Sequence, residues 1–267
     1  MDSQTLRSAV RGIEAGIACL RRNGALPPLV CLHGFGSTKE DYADLAHNPA
    51  FDDRALILLD APGCGVSTID DPSALSIPFL VEAAIAACDA LGVDRFHLSG
   101  HSMGGLTALM LARQNPERVL SLIDIEGNLA PEDCFLSRQI VEHPDDDPAA
   151  FMQGFIDRVS QRPEYSSRLY TTSLPYKVRS AAVGPIFRSM VELSDNEPLM
   201  DIMGGLPCPR VFIYGEQNRH LSYLSELPGI GVEVVEISHA GHFPMYSNPP
   251  ALWASMANFL KRSEAHA

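Results

Sequence analysis

The sequence predicts an α/β fold in which helices flank a mostly parallel central sheet. Short apolar runs alternate along the chain with longer segments of helical patterning. The runs are continuous rather than alternating, which is typical of strands that are buried on both faces of a parallel sheet. The segments between them are long enough for crossover helices, and 267 residues are enough for one large domain.

Apolar runs mark the predicted strands, at residues 29–32, 55–59, 96–99, 119–125, 211–214 and 232–237. The clearest predicted helix covers residues 79–91. It begins after Pro78 and ends at Gly92, a residue that suits the position just past a helix end. Strand and helix patterns therefore alternate along the first half of the chain.

The pattern changes after the fourth predicted strand. Residues 144–148 (Pro-Asp-Asp-Asp-Pro) predict a break, and short helices are predicted after it, over 151–159 and 183–193. This segment shows no strong strand pattern of its own. We therefore expect a core domain of residues 1–130 and 206–267, with residues 131–205 inserted as a helical cap over the carboxyl edge of the sheet.

Charge and hydropathy narrow the classes of partner. Acidic side chains number 33 against 20 basic ones, and the formal net charge of −13 disfavours binding to phosphate backbones and anionic headgroups. No apolar stretch approaches the ~20 residues that a membrane span needs. The first residues lack the basic and then apolar pattern of a signal peptide. We expect a cytoplasmic protein that binds neither nucleic acid nor membrane.

The cysteines are spread along the chain, without a Cys-x-x-Cys pair or a Cys/His cluster at metal-ligand spacing. We therefore expect no metal site, and no motif indicates a cofactor. Cys31 and Cys88 lie in apolar runs, where a reduced cysteine behaves as a small buried hydrophobe. Free, buried thiols are the expectation.

A candidate nucleophile lies in the sequence Gly-His-Ser-Met-Gly at residues 100–104, between a predicted strand and a helical run. A serine at such a sharp strand-to-helix turn needs small neighbours, which Gly100 and Gly104 provide. The turn exposes the Ser102 hydroxyl and leaves the Met103 amide at a helix N-terminus, where the amide and the helix dipole both favour an oxyanion. Ser102 is therefore the predicted nucleophile.

Together with residues 33–36 (His-Gly-Phe-Gly), 60–67 and 241–244, this turn resembles the α/β-hydrolase family over nearly the whole chain. The resemblance implies the fold of that family. It also implies that the Phe35 amide is a second oxyanion donor beside that of Met103, and it gives residues 60–67 a structural role.

The loop Gly-His-Phe-Pro resembles the family's histidine loop, which implies that His242 is the base for Ser102. Three other histidines are less suited to this role. His101 is adjacent to the serine on a tight turn and is expected to point away from it, and His33 is expected to order the oxyanion loop by hydrogen bonding. His239 lacks the Gly-His-x-Pro setting.

The acid that orients the histidine departs from the commonest pattern of the family. Relatives commonly carry an aspartate at the position of Asn218, which cannot hold a charge. Some branches, including haloalkane dehalogenases and certain lactonases, place the acid after the preceding strand. Glu126 fits that place best because it stands at the carboxyl end of the strand, and Glu216 and Asp124 remain alternatives.

With serine as nucleophile, the implied reaction is acyl transfer from an ester or lactone through an acyl-enzyme. Dehalogenases and epoxide hydrolases of this fold use an aspartate nucleophile, which Ser102 argues against. Two alternatives stay open. One is a carbon-carbon bond hydrolase of the same fold, and the other is a small-molecule receptor without turnover, for which Asn218 is the support.

The sequence singles out no substrate-binding residue and predicts no oligomeric state. The proposed cap contains aromatic and methionine residues that are expected mostly to pack its interior: Phe135, Phe151, Met152, Phe155, Tyr165, Tyr170, Phe187, Met190 and Met200. Its arginines are expected to face solvent: Arg158, Arg162, Arg168, Arg179 and Arg188. We expect a small-molecule substrate with an apolar portion.

Overall fold

A computed structural model of the chain describes residues 1–142 and 147–265. Within these residues, a nine-stranded sheet contains β1 (Asp2–Val10), β2 (Ile13–Arg22), β3 (Leu26–Leu32), β4 (Arg54–Leu59), β5 (Thr68–Ile69), β6 (Phe96–His101), β7 (Val119–Ile125), β8 (Arg210–Gly215) and β9 (Glu233–Ile237). The strand order is β1-β2-β4-β3-β6-β7-β8-β9, and β5 pairs with β2 beside this path. Strands β3, β4 and β6 to β9 are parallel, whereas β1, β2 and β5 pair antiparallel. The predicted α/β fold with a mostly parallel sheet is confirmed.

The predicted strands correspond to β3, β4 and β6 to β9. The sequence pattern predicts neither β1 nor β2. Strand β1 is polar and mostly exposed and so contains no apolar run. These two strands form a hairpin in which Val10 pairs with Ile13. Both residues of the turn have positive φ, 51° at Arg11 and 77° at Gly12, as in the tightest hairpin turns.

The helices of the described chain are α1 (Ile77–Ala90), α2 (Met103–Gln114), α3 (Arg138–Glu142), α4 (Pro148–Ser160), α5 (Ser167–Lys177), α6 (Ser180–Asn196), α7 (Leu199–Gly205), α8 (Pro244–Ser247) and α9 (Pro249–Ala265). Helix α1 begins before Pro78 rather than after it. Ser76 caps it by accepting a hydrogen bond from the Phe79 amide at 3.2 Å, and Pro78 lies in the first turn, where its missing N–H breaks no helical bond.

The helices predicted over 151–159 and 183–193 are parts of α4 and α6. Residues 144–146 of the predicted break lie outside the described residues, and Asp147 caps α4 by accepting a hydrogen bond from the Ala150 amide at 3.1 Å. The sequence pattern did not predict α5 and α7.

Helices α3 to α7 lie between β7 and β8 in the chain. Phe187 of α6 packs on Phe35, in the loop after β3, with ring centroids 4.4 Å apart. Tyr170 of α5 packs on Phe243, in the loop after β9, at 4.5 Å. Because these loops follow the carboxyl ends of parallel strands, the helices cover that edge of the sheet. We propose that residues 131–205 form a cap on a core of residues 1–130 and 206–267.

All six cysteines are buried and unpaired. Burial raises the pKa of several of their thiols, to about 11 for Cys19 and about 12 for Cys64. In residues 1–142 and 147–265, no helix is long and apolar enough to cross a membrane. The same residues contain no group of His, Cys, Asp and Glu side chains that could hold a metal ion.

Candidate active site

The turn between β6 and α2 holds Ser102 in a strained backbone conformation, with φ 52° and ψ −118°. The flanking glycines make this turn possible. A Cβ atom added to Gly100 would lie 2.1 Å from the carbonyl oxygen of Gly104, and one added to Gly104 would lie 2.3 Å from the carbonyl oxygen of Leu32. The turn therefore has no room for a side chain at either position.

The side chains of Ser102, His242 and Glu126 form a hydrogen-bonded chain. His242 Nε2 lies 3.0 Å from Ser102 Oγ, and His242 Nδ1 lies 2.8 Å from Glu126 Oε2. A carboxylate accepts only, so Nδ1 carries the proton and Nε2 is left with the lone pair that faces the serine hydroxyl. The carboxylate is only 3% exposed and the imidazole 20% exposed.

Glu126 directly follows β7 and, like Ser102, has a positive φ, 51°. Its amide donates to the carbonyl oxygen of Ile213 at 3.0 Å. Its Oε1 accepts from the Gly215 amide at 2.7 Å, and its Oε2 accepts from the Asn218 side-chain amide as well as from His242. Asn218 therefore donates a hydrogen bond to Glu126, which faces the histidine, and not to His242 itself.

The two other candidate acids lie elsewhere and make no contact with His242 within the described chain. Glu216 Oε1 lies 3.8 Å from Nδ1 of the exposed His239 ring. Asp124 is fully buried in β7 and accepts a hydrogen bond from the Gly127 amide at 2.7 Å. Burial raises the pKa of Asp124 to about 8, which keeps this carboxyl mostly protonated at neutral pH.

His33 and His101 order the loops around the site. The Ala61 amide donates to His33 Nε2 at 3.0 Å, and His33 Nδ1 lies 2.8 Å from the carbonyl oxygen of Gly34. His101 Nε2 donates to the backbone carbonyl oxygen of His242 at 2.7 Å, which ties β6 to the histidine loop. Burial lowers the pKa of His101 well below its usual range, so the ring stays neutral.

The backbone amide of Phe35 lies in the loop after β3, and that of Met103 lies at the N-terminus of α2, directly after Ser102. Neither donates a hydrogen bond to any residue that the structure describes. The loop that carries Phe35 is tightly packed, because a Cβ atom on Gly34 would lie 2.4 Å from His101 Nδ1, and one on Gly36 would lie 2.2 Å from the Tyr170 ring. Both amides are available to an external acceptor.

His242 lines three cavities of the described chain. The cavity beside Ser102 measures about 20 Å³, and its lining includes four of the aromatic and methionine residues noted in the sequence: Phe135, Tyr170, Phe187 and Met190. The second cavity measures about 280 Å³, with Tyr165, Arg162 and Gln217 in its lining. A third, of about 130 Å³, lies beside Glu126. Three other sequence candidates are buried in the interior instead: Phe151, Met152 and Phe155.

Asp133 lines the smaller cavity and was not predicted from the sequence. Its carboxylate accepts from the Leu129 and Ala130 amides at 2.8 and 2.9 Å and from the Tyr223 hydroxyl at 2.9 Å. Burial raises its pKa to about 6. A short helix starts at Pro131, directly after Ala130, and Asp133 follows Ala130 by three residues. This spacing is the local signal that could have identified Asp133 as a capping residue.

Residues 27–167 match the alpha/beta hydrolase fold family, and this stretch is more than half of the chain. The chain belongs to this family. It is also similar to a pimeloyl-[acyl-carrier protein] methyl ester esterase of Aeromonas salmonicida, with 37% identity over 45% of this chain and 43% of that protein. A proline iminopeptidase of Clostridium botulinum is 31% identical over 61% of this chain and 56% of that protein. The chain matches about half the length of these curated relatives.

Solved structures of the same fold cover almost the whole chain. A thermophilic esterase from Thermogutta terrifontis superposes with a TM-score of 0.78 at 21% identity, over 97% of this chain and 99% of the other. An N-acyl homoserine lactonase superposes with a TM-score of 0.76 at 19% identity, over 98% and 97% of the two chains. At these identities the likeness shows the fold of the alpha/beta hydrolases.

Proposed function

We propose that this protein is a serine hydrolase that cleaves a carboxylic ester or lactone through an acyl-enzyme. Ser102 is the nucleophile, His242 the general base and Glu126 the acid that orients the imidazole. The observation that carries the proposal is the unbroken chain from Ser102 Oγ to His242 Nε2 at 3.0 Å and from His242 Nδ1 to Glu126 at 2.8 Å.

In the first half of the reaction, Ser102 Oγ attacks the carbonyl carbon as its proton passes to His242 Nε2. The carbonyl oxygen becomes an oxyanion, which the free amides of Phe35 and Met103 stabilise. The bond to the leaving oxygen then breaks, and this oxygen takes the proton from Nε2. The leaving alcohol and an acyl group on Ser102 are the products of this half.

Water completes the turnover by the same route. Its proton passes to His242 while its oxygen bonds to the acyl carbon, and the bond to Ser102 then breaks as Oγ takes the proton back. The carboxylic acid leaves and the resting serine is restored. In both halves the charge of Glu126 stabilises the imidazolium that forms on His242.

An ester is the substrate class that the site and the relatives together support best. The expectation of an ester rests on the similarity to the pimeloyl-[acyl-carrier protein] methyl ester esterase. The apolar wall beside Ser102, formed by residues such as Phe187 and Met190, suits an acyl group.

A small fluorophosphonate tests the proposed nucleophile without a choice of substrate. Native protein is labelled and the modified residue is mapped by mass spectrometry, with Ser102→Ala and heat-denatured protein as controls. We expect modification of Ser102 in the native protein alone. The absence of labelling, or equal labelling of the Ser102→Ala variant, contradicts the proposal. If Ser102 is labelled, hydrolysis of a panel of esters and lactones is measured next.

A further inference from the structure

We propose that the substrate extends unequally from the reacting carbonyl: a short, apolar acyl group on one side and a larger leaving group, with both apolar and hydrogen-bonding parts, on the other. This inference rests on the proposed serine-esterase function. It commits to an open-chain ester, because a lactone joins the two sides in one ring.

The chemistry of the site assigns a side to each half of the substrate. The leaving oxygen takes its proton from His242 Nε2, so the leaving group must lie on the His242 side of the carbonyl carbon. The carbonyl oxygen points to the amides of Phe35 and Met103. The third direction from Ser102, toward Phe187 and the rest of the small cavity, is the one that remains for the acyl group.

The acyl side is short and closed. The cavity beside Ser102 has a volume of about 20 Å³, room for about one water molecule or a group of that size. Phe187 forms its wall, and its ring packs against Phe35 at 4.4 Å and against Phe151 and Phe155 at 6.4 Å each. Because this wall is backed by other aromatic rings, a long acyl chain has no space without displacement of Phe187.

The leaving-group side is roomy and combines apolar with hydrogen-bonding side chains. The second cavity measures about 280 Å³, contains His242 in its lining, and does not include Ser102 or Phe35. Its other lining groups include Arg162, Glu164, Gln217 and His220, which offer both donors and acceptors. Arg162 and Glu164 lie 3.5 Å apart, so their charges offset each other. An uncharged alcohol that is larger than methanol and carries a hydroxyl or amide group beside apolar carbon fits this lining best.

This division is the reverse of the one implied by the name of the Aeromonas relative. A pimeloyl methyl ester has a long acyl chain and a one-carbon leaving group. Part of the lining of the two cavities, Phe187 and Gln217 included, lies beyond the end of the family match at residue 167. The identity to that relative extends over only 45% of this chain and does not fix the acyl group.

The test compares two esters of opposite shape on the wild-type protein. Glyceryl monoacetate has a short acyl group and a polar alcohol, and methyl heptanoate has a long acyl chain and a methyl leaving group. We expect kcat/KM for the acetate to be higher by about tenfold or more, the range that a few misplaced methylenes produce. A higher kcat/KM for the methyl ester overturns the inference.

Variants of the wall test its cause. With p-nitrophenyl esters, which keep the leaving group constant, Phe187→Ala is expected to raise the ratio of octanoate to acetate kcat/KM by about tenfold. Met190→Ala is a second enlargement that leaves the contact between Phe187 and Phe35 in place, and Tyr176→Ala, at an exposed cap position, is the matched control with an unchanged ratio.

The outcomes separate this inference from the proposed function. If Ser102 reacts with the fluorophosphonate but both wall variants keep the wild-type chain-length ratio, or if neither shape of ester is cleaved, the assignment of the cavities is wrong. If Ser102 does not react at all, the proposed function itself fails.

Discussion

In the proposed triad, Glu126 supplies the negative charge that His242 needs when it takes up a proton. The position after β8 holds Asn218, a neutral residue that donates to Glu126 instead of facing the histidine. With the Gly215 amide and His242 as further donors, the carboxylate is held at both oxygens. A glutamate fixed in this way can orient the imidazole without moving during the reaction.

Replacement of this carboxylate tests the residue directly. Glu126→Gln is expected to lower kcat on an ester substrate by about 10³ to 10⁴, because the amide neither stabilises the imidazolium nor enforces the productive tautomer. Glu216→Gln is the matched control, since Glu216 pairs with the exposed His239 and should leave kcat unchanged. A rate for Glu126→Gln within about twofold of wild type would remove Glu126 from the site.

Single residues also show how far the sequence predicts the site. Ser102 and His242 lie in short local motifs, and the glycines around Ser102 are required by contacts within the turn itself. The acid has no such motif, so the sequence leaves three carboxylates open, and Glu126 is the one that lies beside the imidazole in the fold. Asn218 acts on Glu126, which follows another strand, and no local pattern reveals this contact. The capping bonds of Asp133 are local, but its bond to Tyr223 depends on the fold.

At the scale of elements, an ion-paired cluster joins α5, α8 and the short helix Lys39–His47. Lys177 Nζ donates to both Asp41 oxygens, at 2.9 and 3.2 Å, and to the Tyr246 hydroxyl at 2.7 Å. The Tyr246 hydroxyl in turn donates to Asp41 at 2.6 Å. The cluster therefore links the proposed cap to the segments that follow the oxyanion loop and the histidine loop.

Loss of the ammonium group should loosen this link. Lys177→Met is expected to lower the free energy of unfolding by about 1–3 kcal/mol, because Asp41 is largely buried and loses its charged partner. Urea denaturation measures the change. Arg219→Met breaks an exposed ion pair with Glu236 and should change stability by less than about 0.5 kcal/mol. Equal effects of the two substitutions would refute a special role for the cluster.

Elements differ in how well the sequence predicts them. Strands β6 to β8 are mostly buried and appear as continuous apolar runs, so their positions are close to the predicted ones. Strand β1 lies at the edge of the sheet with polar, exposed side chains, and the apolar-run criterion does not detect it. Helix α5 contains Pro175 and has a weak apolar pattern, which hides it in the sequence.

At the scale of the whole molecule, a buried network fastens the C-terminal helix α9 to the sheet. His97 in β6 lies 2.7 Å from the Ser121 hydroxyl and 3.2 Å from Glu264, and Arg54 donates to the same glutamate at 2.8 Å. Burial, and then the charge of Arg54, lowers the pKa of His97 from 6.5 to about 4. The folded protein therefore keeps this imidazole neutral over a pH range in which the unfolded chain takes up a proton.

The pH dependence of stability follows from this difference. Between pH 6.5 and pH 4 the unfolded state binds the extra proton, so His97 makes the free energy of unfolding fall as the pH falls. His97→Gln removes this contribution. As the pH falls, we therefore expect the difference in free energy of unfolding between wild type and variant to shrink by about 1 kcal/mol per pH unit at most. Urea unfolding at pH 7 and pH 4.5 measures it. A gap that is constant with pH contradicts the expectation, and His220→Gln, at an exposed position, is the control.

The hydrogen bond from the Gly215 amide to Glu126 joins the carboxyl ends of the adjacent parallel strands β7 and β8. Among the described residues, the segment of chain between these two strands therefore takes no part in fastening this carboxylate. Replacement of that segment by one of another length or shape would leave the position of the proposed acid intact, because the ends of the two strands set it. Substrate range can diversify in such a protein while its bond-breaking chemistry stays constant.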